Sequence, residues 1–511
     1  MNKQQLAAKI WESANQMRSK IEANEYKDYI LGFIFYKYLS DKEEQDLYNR
    51  GYDANNIKEY VNEEADDSYS SMSSLKQDLG YFIAYKDLFS TWINMGSDFS
   101  VDNVRTGLSS FSRNISSSHK KLFEGVFTTL EVGISKLGAD TKSQTKAVSD
   151  LIQLINEIPM NGKHDYDVLG FIYEYLISNF AANAGKKAGE FYTPRAATDF
   201  IAEVLDPKLG ESMADFACGT GGFLTSTLNR LSSQRKTSED TKKYNTAVFG
   251  IEKKAFPHLL AVTNLFLHEI DDPKIVHGNT LEKNVREYTD DEKFDIIMMN
   301  PPFGGSELET IKNNFPAELR SSETADLFMA VIMYRLKENG RVGVILPDGF
   351  LFGEGVKTRL KQKLVDEFNL HTIIRLPHSV FAPYTGINTN ILFFDKTKKT
   401  EETWFYRLDM PDGYKNFSKT KPMKSEHFNP VRDWWKNREE ILEGKFYKSK
   451  SFTPSELEEL NYNLDQCGFP KEEEEILDPF ELIQNYQVER ATLNHKIDTV
   501  LADILQLLED K

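Results

Sequence analysis

The residues best suited to chemistry are Asn300-Pro301-Pro302-Phe303, which close the mostly apolar run Phe294-Asp295-Ile296-Ile297-Met298-Met299. A run of that length, stopped by two prolines that cannot continue a sheet ladder, predicts a buried strand ending in a rigid loop. Asn300 would then stand at the strand's carboxyl end, the edge where open α/β sheets bind ligands. Its amide oxygen and the Pro301 carbonyl are two fixed acceptors suited to an amino group conjugated to a ring. By accepting both amino hydrogens they push the nitrogen toward tetrahedral geometry and free its lone pair for attack on a sulfonium methyl. Phe303 offers a face on which a flipped-out base stacks. The competing account is a Pro-Pro turn after a core strand, with Asn300 a turn residue and Phe303 packed inside.

Other motifs decide between these accounts. Asp215-Phe216-Ala217-Cys218-Gly219-Thr220-Gly221-Gly222 follows an earlier β-run and precedes the helical pattern Phe223 to Leu231. Glycines at such a turn let a ligand approach the backbone, and the unpaired amides of a helix start suit a carboxylate or phosphate. Glu252 ends the next β-run, placed to accept from both hydroxyls of a ribose. Asn279, in His277-Gly278-Asn279-Thr280, either contacts an adenine or caps the helix that follows. A tight βα turn and a surface carboxylate are the alternatives for the first two. The order of glycine turn, acidic strand end and Asn-Pro-Pro-Phe strand end points to a methyltransferase. Cys218 lies inside the turn, not after a proline in a catalytic loop, which disfavours a cysteine-nucleophile mechanism. No His/Cys cluster suggests a metal.

These positions require a scaffold of short strands. β-rich runs occur at Met213 to Phe216, Ala247 to Ile251, Lys274 to His277, Phe294 to Met299, Arg341 to Leu346, Thr372 to Leu376 and Asn390 to Phe394, interleaved with helical segments. The expected fold is α/β, a seven-stranded, doubly wound, mainly parallel sheet over residues 162–400. Residues 1–161 carry helical spacing, as at Tyr29, Ile30, Phe33, Ile34 and Tyr38, and predict an all-α domain. A further helix is expected from Asp165 to Ala182. Residues 401–511 form a mixed, then helical region, with a short strand at Trp404 to Leu408 and a helix at Trp434 to Leu442. In the terminal helix Leu493, Ile497, Val500, Ile504 and Leu507 recur at steps of four and three. This is either a coiled-coil seam for a partner or a face packed on its own subunit.

The 511 residues exceed one core, and 40% hydrophobic with 28% charged residues describes an ordinary globular protein. No apolar run reaches a membrane span and the opening Met1 to Gln5 lacks a signal-peptide core, so the chain is expected in the cytoplasm. Two cysteines, Cys218 and Cys467, argue against a disulfide framework. The net charge of −17 opposes extended contact with phosphates, which leaves local patches such as Lys357 to Lys363 and Lys419 to Lys424, or a partner, to supply it. Each patch is read first as a solvated face. No segment after the last sheet strand is patterned as an independent DNA-reading domain, so sequence choice is expected to be delegated.

The chain resembles the modification subunits of type I restriction-modification systems, which are adenine-N6 DNA methyltransferases. Gly189-Glu190-Phe191-Tyr192-Thr193-Pro194, Asp215 to Gly222, Gly250-Ile251-Glu252, Gly278-Asn279-Thr280-Leu281, Asn300 to Phe303 and Gly340 to Gly353 carry the likeness. It implies the S-adenosylmethionine-dependent methyltransferase fold. It also implies that Phe191, Tyr192, Thr193 and Pro194 lie along the methionine portion of the cofactor, with Glu190 and Arg195 beside them. Asp215, Gly219, Thr220, Gly221 and Gly222 would form its glycine-rich turn, Glu252 would hold its ribose, and Asn300, Pro301, Pro302 and Phe303 would form the catalytic loop. Phe381 would be either the opposite wall of the base pocket or a core aromatic. Many relatives carry Tyr where this chain has Phe303, which keeps stacking and loses a phenol. The likeness further implies double-stranded DNA as substrate, a specificity subunit gripped by two modification subunits, and a restriction subunit in the full nuclease. Rival readings are a self-sufficient methyltransferase for cytosine N4 or a protein glutamine, and an inert DNA- or partner-binding scaffold.

Overall fold

The computed structural model describes residues 5, 7–8, 10–12, 26–62, 68–123, 126–158, 193–270, 272–382, 385–418, 421–444, 446–468 and 479–509. The chain divides into two compact units, Met1–Gly468 and Phe469–Lys511. The helix expected from Asp165 to Ala182, together with Glu190, Phe191 and Tyr192, lies outside the described residues.

Among its described residues the N-terminal part is built of helices joined by loops, with long helices at Tyr26–Asn49, Val101–Arg113 and Thr141–Asn156. The second starts at a reciprocal cap in which Ser100 accepts from Asp102 N–H while Asn103 accepts from Ser100 N–H. Aromatic rings fill the space between the helices, as where Tyr36 stacks on Trp92 with centroids 4.7 Å apart.

One ten-stranded sheet follows, with β1 Met213–Asp215, β2 Val248–Glu252, β3 Ile275–His277, β4 Phe294–Met299, β5 Leu336–Pro347, β6 Asn369–Arg375, β7 Thr389–Asp395, β8 Thr403–Arg407, β9 Ile441–Glu443 and β10 Phe446–Phe452. Its order is β3-β2-β1-β4-β5-β7-β6-β8-β10-β9. From β1 the chain winds outward through β2 and β3 on one side and through β4 and β5 on the other. The β1/β4 junction is therefore the topological switch point, where a crevice opens at the carboxyl ends.

Alternation within β4 shows why its residues make a central strand. Ile296 and Met298 join one core and Ile297 and Met299 the other, each fully buried. Such a strand reads as a continuous apolar run because helices cover both faces of the sheet.

The seven expected strands are all present, but three more extend the sheet past residue 400. β8 was anticipated, whereas β9 and β10 were not. The sheet is also mixed: five pairings are parallel and four antiparallel, because β7 runs against both β5 and β6, and β10 against both β8 and β9. The helix expected from Trp434 to Leu442 ends at Lys436, and Ile441–Glu443 is a strand. Asn437 leaves helical geometry at φ −145°, and Trp434 Nε1 donates to Glu439 O across the turn. In the second unit the helix Pro479–Glu509 carries Leu493, Ile497 and Val500 exposed.

Candidate active site at the carboxyl edge of the sheet

A cavity of about 300 Å³ lies at the switch point, lined from the ends of β1, β2, β3 and β4. That volume lies in the range of small-molecule sites. Its floor is the turn after β1, where Gly219 (φ +54°) and Gly221 (φ +81°) adopt left-handed conformations that side chains resist. Gly221 is the N-cap of the helix Gly222–Ser232, whose first amides face this turn. Asn264 Nδ2 donates to Thr220 O (2.8 Å), and Thr280 Oγ1 donates to Phe216 O (2.6 Å), pinning the turn from two neighbouring elements.

Glu252 closes one wall. Gly219 N–H donates to its Oε2 (2.9 Å) and Lys254 N–H to its Oε1 (2.7 Å), so the carboxylate is held at both ends by backbone. Asp215 is buried beside it and accepts from Ala217 N–H (3.1 Å). Burial first, and then the Glu252 charge, push the Asp215 carboxyl up to about 8. Burial likewise raises the Cys218 thiol well above its ordinary value, leaving it a poor nucleophile.

Asn300 enters from β4. Its Nδ2 donates to Thr193 Oγ1 (3.0 Å), whereas its Oδ1 is buried and accepts no hydrogen bond among the described residues. Asn300, Pro301, Pro302 and Thr193 line the same cavity as Gly219, Thr220, Gly222 and Glu252. A bare acceptor thus shares a chamber with a glycine turn and two carboxyl groups.

Other expected site residues lie differently. Asn279 lines the cavity and also caps the single turn Thr280–Glu282, its Oδ1 accepting from Leu281 N–H (3.2 Å). Arg195 Nη1 donates to Thr225 Oγ1 (3.0 Å), against the helix start at Gly222; neither Arg195 nor Pro194 is among the described lining residues. Phe303 and Phe381 meet edge to face at 6.5 Å and are both buried, and neither lines the cavity. Thr280, from the Gly278 to Leu281 motif, lines the cavity, and Asn264, Lys254, Thr324 and Phe328, which no motif announces, also take part in the cavity or its supports.

The suggested phosphate patch at Lys357 to Lys363 takes a different form. Lys357 is buried, donating to Asp326 Oδ2 (2.7 Å) and pairing with Glu323 (2.9 Å), and Lys361 is buried against the carbonyls of Leu351 (2.7 Å) and Gly353 (2.8 Å). Lys363 pairs with Glu367 on the surface. In the second patch Lys419 lies outside the described residues, Lys421 sits over Tyr414 and Lys424 pairs with Glu426. Among the described residues, no helix is long and apolar enough to cross a membrane.

Two family models match the chain, one described as N-6 DNA Methylase over residues 164–476 and one described as HsdM N-terminal domain over residues 6–155. The chain is 46% identical over 359 residues to the type I restriction enzyme EcoEI methylase subunit of Escherichia coli, covering 70% of this chain and 72% of that one. It is 26% identical to the type I restriction enzyme MpnII methylase subunit of Mycoplasma pneumoniae, covering 96% and 92%. A modification subunit of a putative type I restriction enzyme from Vibrio vulnificus YJ016 superposes with a TM-score of 0.64 at 32% identity, over 89% of this chain and 93% of that one. The type I methyltransferase subunit from Streptococcus thermophilus superposes with a TM-score of 0.74 at 25% identity, over 91% and 98%. The fold is a doubly wound methyltransferase α/β fold behind an all-α N-terminal region. The chain belongs to the N-6 DNA methylase family, among the methylase subunits of type I restriction enzymes.

Proposed function

We propose that this chain transfers a methyl group from S-adenosylmethionine to adenine N6 in double-stranded DNA, with the target base flipped out of the helix. The observation that carries the reading is the buried Oδ1 of Asn300, without a partner among the described residues, in the same cavity as the glycine turn and Glu252. An acceptor left bare in a buried site costs stability, and a substrate that brings only donors satisfies it. An exocyclic amino group is such a substrate.

The residues present fit the cofactor. Glu252 has acceptor capacity beyond the two backbone amides it takes, which suits a ribose diol. Asp215 is a buried carboxyl whose ionisation a cationic ligand would favour. Gly219, Thr220, Gly221 and Gly222 give close backbone approach, and Asn279 keeps an amide nitrogen for an adenine edge. Thr193 lines the same cavity, and Glu190, Phe191, Tyr192, Pro194 and Arg195 join the proposed set from the sequence motif alone. When bound, the cofactor supplies an electrophilic methyl group.

The chain's own part is positioning. Asn300 Oδ1 and the Pro301 carbonyl take the two hydrogens of the amino group, and Pro302 stiffens the loop. Phe303 stacks the extruded base, with Phe381 behind it; their edge-to-face pair must open for this. Sequence choice falls to a separate specificity subunit held by two copies of this chain through residues 401–511, and a restriction subunit joins in the nuclease. The cytoplasm is the expected location.

Incubating the purified chain with labelled cofactor and DNA, with and without a specificity subunit, tests the reading. Label in N6-methyladenine only when the specificity subunit is present supports it. DNA labelling by the chain alone removes the delegation, and label in cytosine or protein favours the self-sufficient rival.

A further inference from the structure

We infer that Thr193 is a positioning residue for methyl transfer: it sets which end of the Asn300 amide faces the substrate. The inference rests on the proposed reaction and assigns Thr193 a task separate from contact with the cofactor.

An Asn amide presents an acceptor at one end and two donors at the other, and turning it by half a revolution exchanges them. Only the oxygen serves a substrate amino group, which has hydrogens to give. In the reversed orientation an N–H would oppose another N–H, and the site would repel what it must hold. Proline-rich backbone fixes where Asn300 stands but not which way its amide is turned. That choice is made by a contact at the far end.

Thr193 supplies this contact. Its Oγ1 accepts from Asn300 Nδ2 at 3.0 Å across a separation of 107 residues, and the opposite atom, Oδ1, is left buried with no partner among the described residues. Both residues line the one cavity. Thr193 is itself well anchored. The next residue, Pro194, caps the helix Arg195–Leu205, its carbonyl accepting from Ala197 N–H (2.9 Å) and Thr198 N–H (3.2 Å). That helix is tied to Gly222–Ser232 by Arg195 to Thr225 and by Ser226 Oγ to Thr198 Oγ1 (2.9 Å).

A hydroxyl can also donate, so in the empty site either amide orientation finds a partner at Thr193. With an amino group present, only the observed orientation satisfies all three groups: substrate N–H to Oδ1, Nδ2–H to Oγ1, and the hydroxyl hydrogen elsewhere. Thr193 therefore acts chiefly in the loaded complex, which predicts an effect on turnover more than on cofactor binding.

The test uses the full chain with its specificity subunit, and compares Thr193→Val, which keeps the shape and loses the acceptor, with Thr193→Ser, which keeps the hydroxyl. Expected results are a fall in kcat of about tenfold or more for Thr193→Val, recovery of most of that loss in Thr193→Ser, and a change in cofactor Kd by calorimetry that is smaller than the change in kcat for Thr193→Val. The decisive arm places Thr193→Val in an Asn300→Asp background. A carboxylate offers an acceptor in either orientation, so the loss should shrink to about twofold or less there.

An equal loss in both backgrounds, or a loss that appears in cofactor Kd and not in kcat, overturns the inference and makes Thr193 a cofactor contact only. If the unaltered complex methylates no DNA, the proposed function fails instead. The Thr193 series is then read on whichever amino acceptor is labelled, and it falls too if none is.

Discussion

Gly219 and Glu252, thirty-three residues apart, are joined by an N–H to Oε2 bond of 2.9 Å, so the glycine turn and the second strand end form one unit. With Lys254 N–H on the other oxygen, both ends of the carboxylate are committed to shaping the cavity. Glu252→Gln can accept at one end only and leaves an amide hydrogen facing an N–H. Cofactor affinity measured by calorimetry should fall by at least about tenfold, from the loss of one charged acceptor. Unchanged affinity would mean that Glu252 is a structural brace alone.

Asp215 predicts a pH dependence whose sign can be worked out. Its carboxyl is raised to about 8 in the folded chain, chiefly by burial, against about 3.9 when unfolded. The folded state keeps a proton that the unfolded chain releases, so the contribution to stability is full below about pH 4 and is lost as pH rises through 8. Asp215→Asn is neutral at every pH, and its melting temperature relative to the parent should climb between pH 5 and pH 8.5. A flat difference would contradict the assignment. Calorimetry at pH 7 in two buffers of different ionisation heat should also show cofactor binding releasing close to one proton from the parent and none from Asp215→Asn.

Lys361 and Lys363 sit two positions apart on one helix and should behave oppositely. Lys361 is buried, donating to the carbonyls of Leu351 and Gly353, while Lys363 makes an exposed pair with Glu367. Lys361→Ala strands one buried and one half-buried carbonyl, and denaturant unfolding should show a loss of about 2 kcal/mol. Lys363→Ala should cost less than about 0.5 kcal/mol. Comparable losses would mean that Lys361 is not the buried anchor of the Leu351–Gly353 segment.

Much of this arrangement was legible in the sequence because its signals are local. The run Phe294 to Met299 has one composition and one stop, and the glycine turn and Glu252 each abut their own strand. β10 was hidden because Lys448, Ser449 and Lys450 interrupt its apolar pattern, although Ser449 is fully buried and Lys448 pairs with Asp409 and Glu443. The run Lys357 to Lys363 looks like a solvated face in the sequence for a similar reason. Charge is visible in a sequence, whereas the buried Asp326 that Lys357 answers lies thirty-one residues away. The same limit applied to Thr193 and Asn300, whose contact joins segments that no spacing rule connects.

Phe303 tests the base pocket separately from the amide. Phe303→Tyr keeps the stacking face and should methylate within about threefold of the parent, because the stacking of a base on an aromatic face is tolerant of ring identity. Phe303→Leu should lower methyl transfer to duplex DNA with cofactor affinity kept, read by calorimetry beside single-turnover labelling. If the Leu variant transfers normally, stacking on Phe303 is not used.

The central claim is that the bare oxygen of Asn300 holds the amino group that receives the methyl. It is tested most directly by cofactor affinity and single-turnover methyl transfer to adenine, measured together on Asn300→Ala in complex with the specificity subunit. The account predicts cofactor affinity within about twofold of the parent and transfer reduced by at least about a hundredfold, the scale on which removal of one pre-organised group acts. Near-parental transfer by Asn300→Ala, with its fold and cofactor affinity intact, would contradict it.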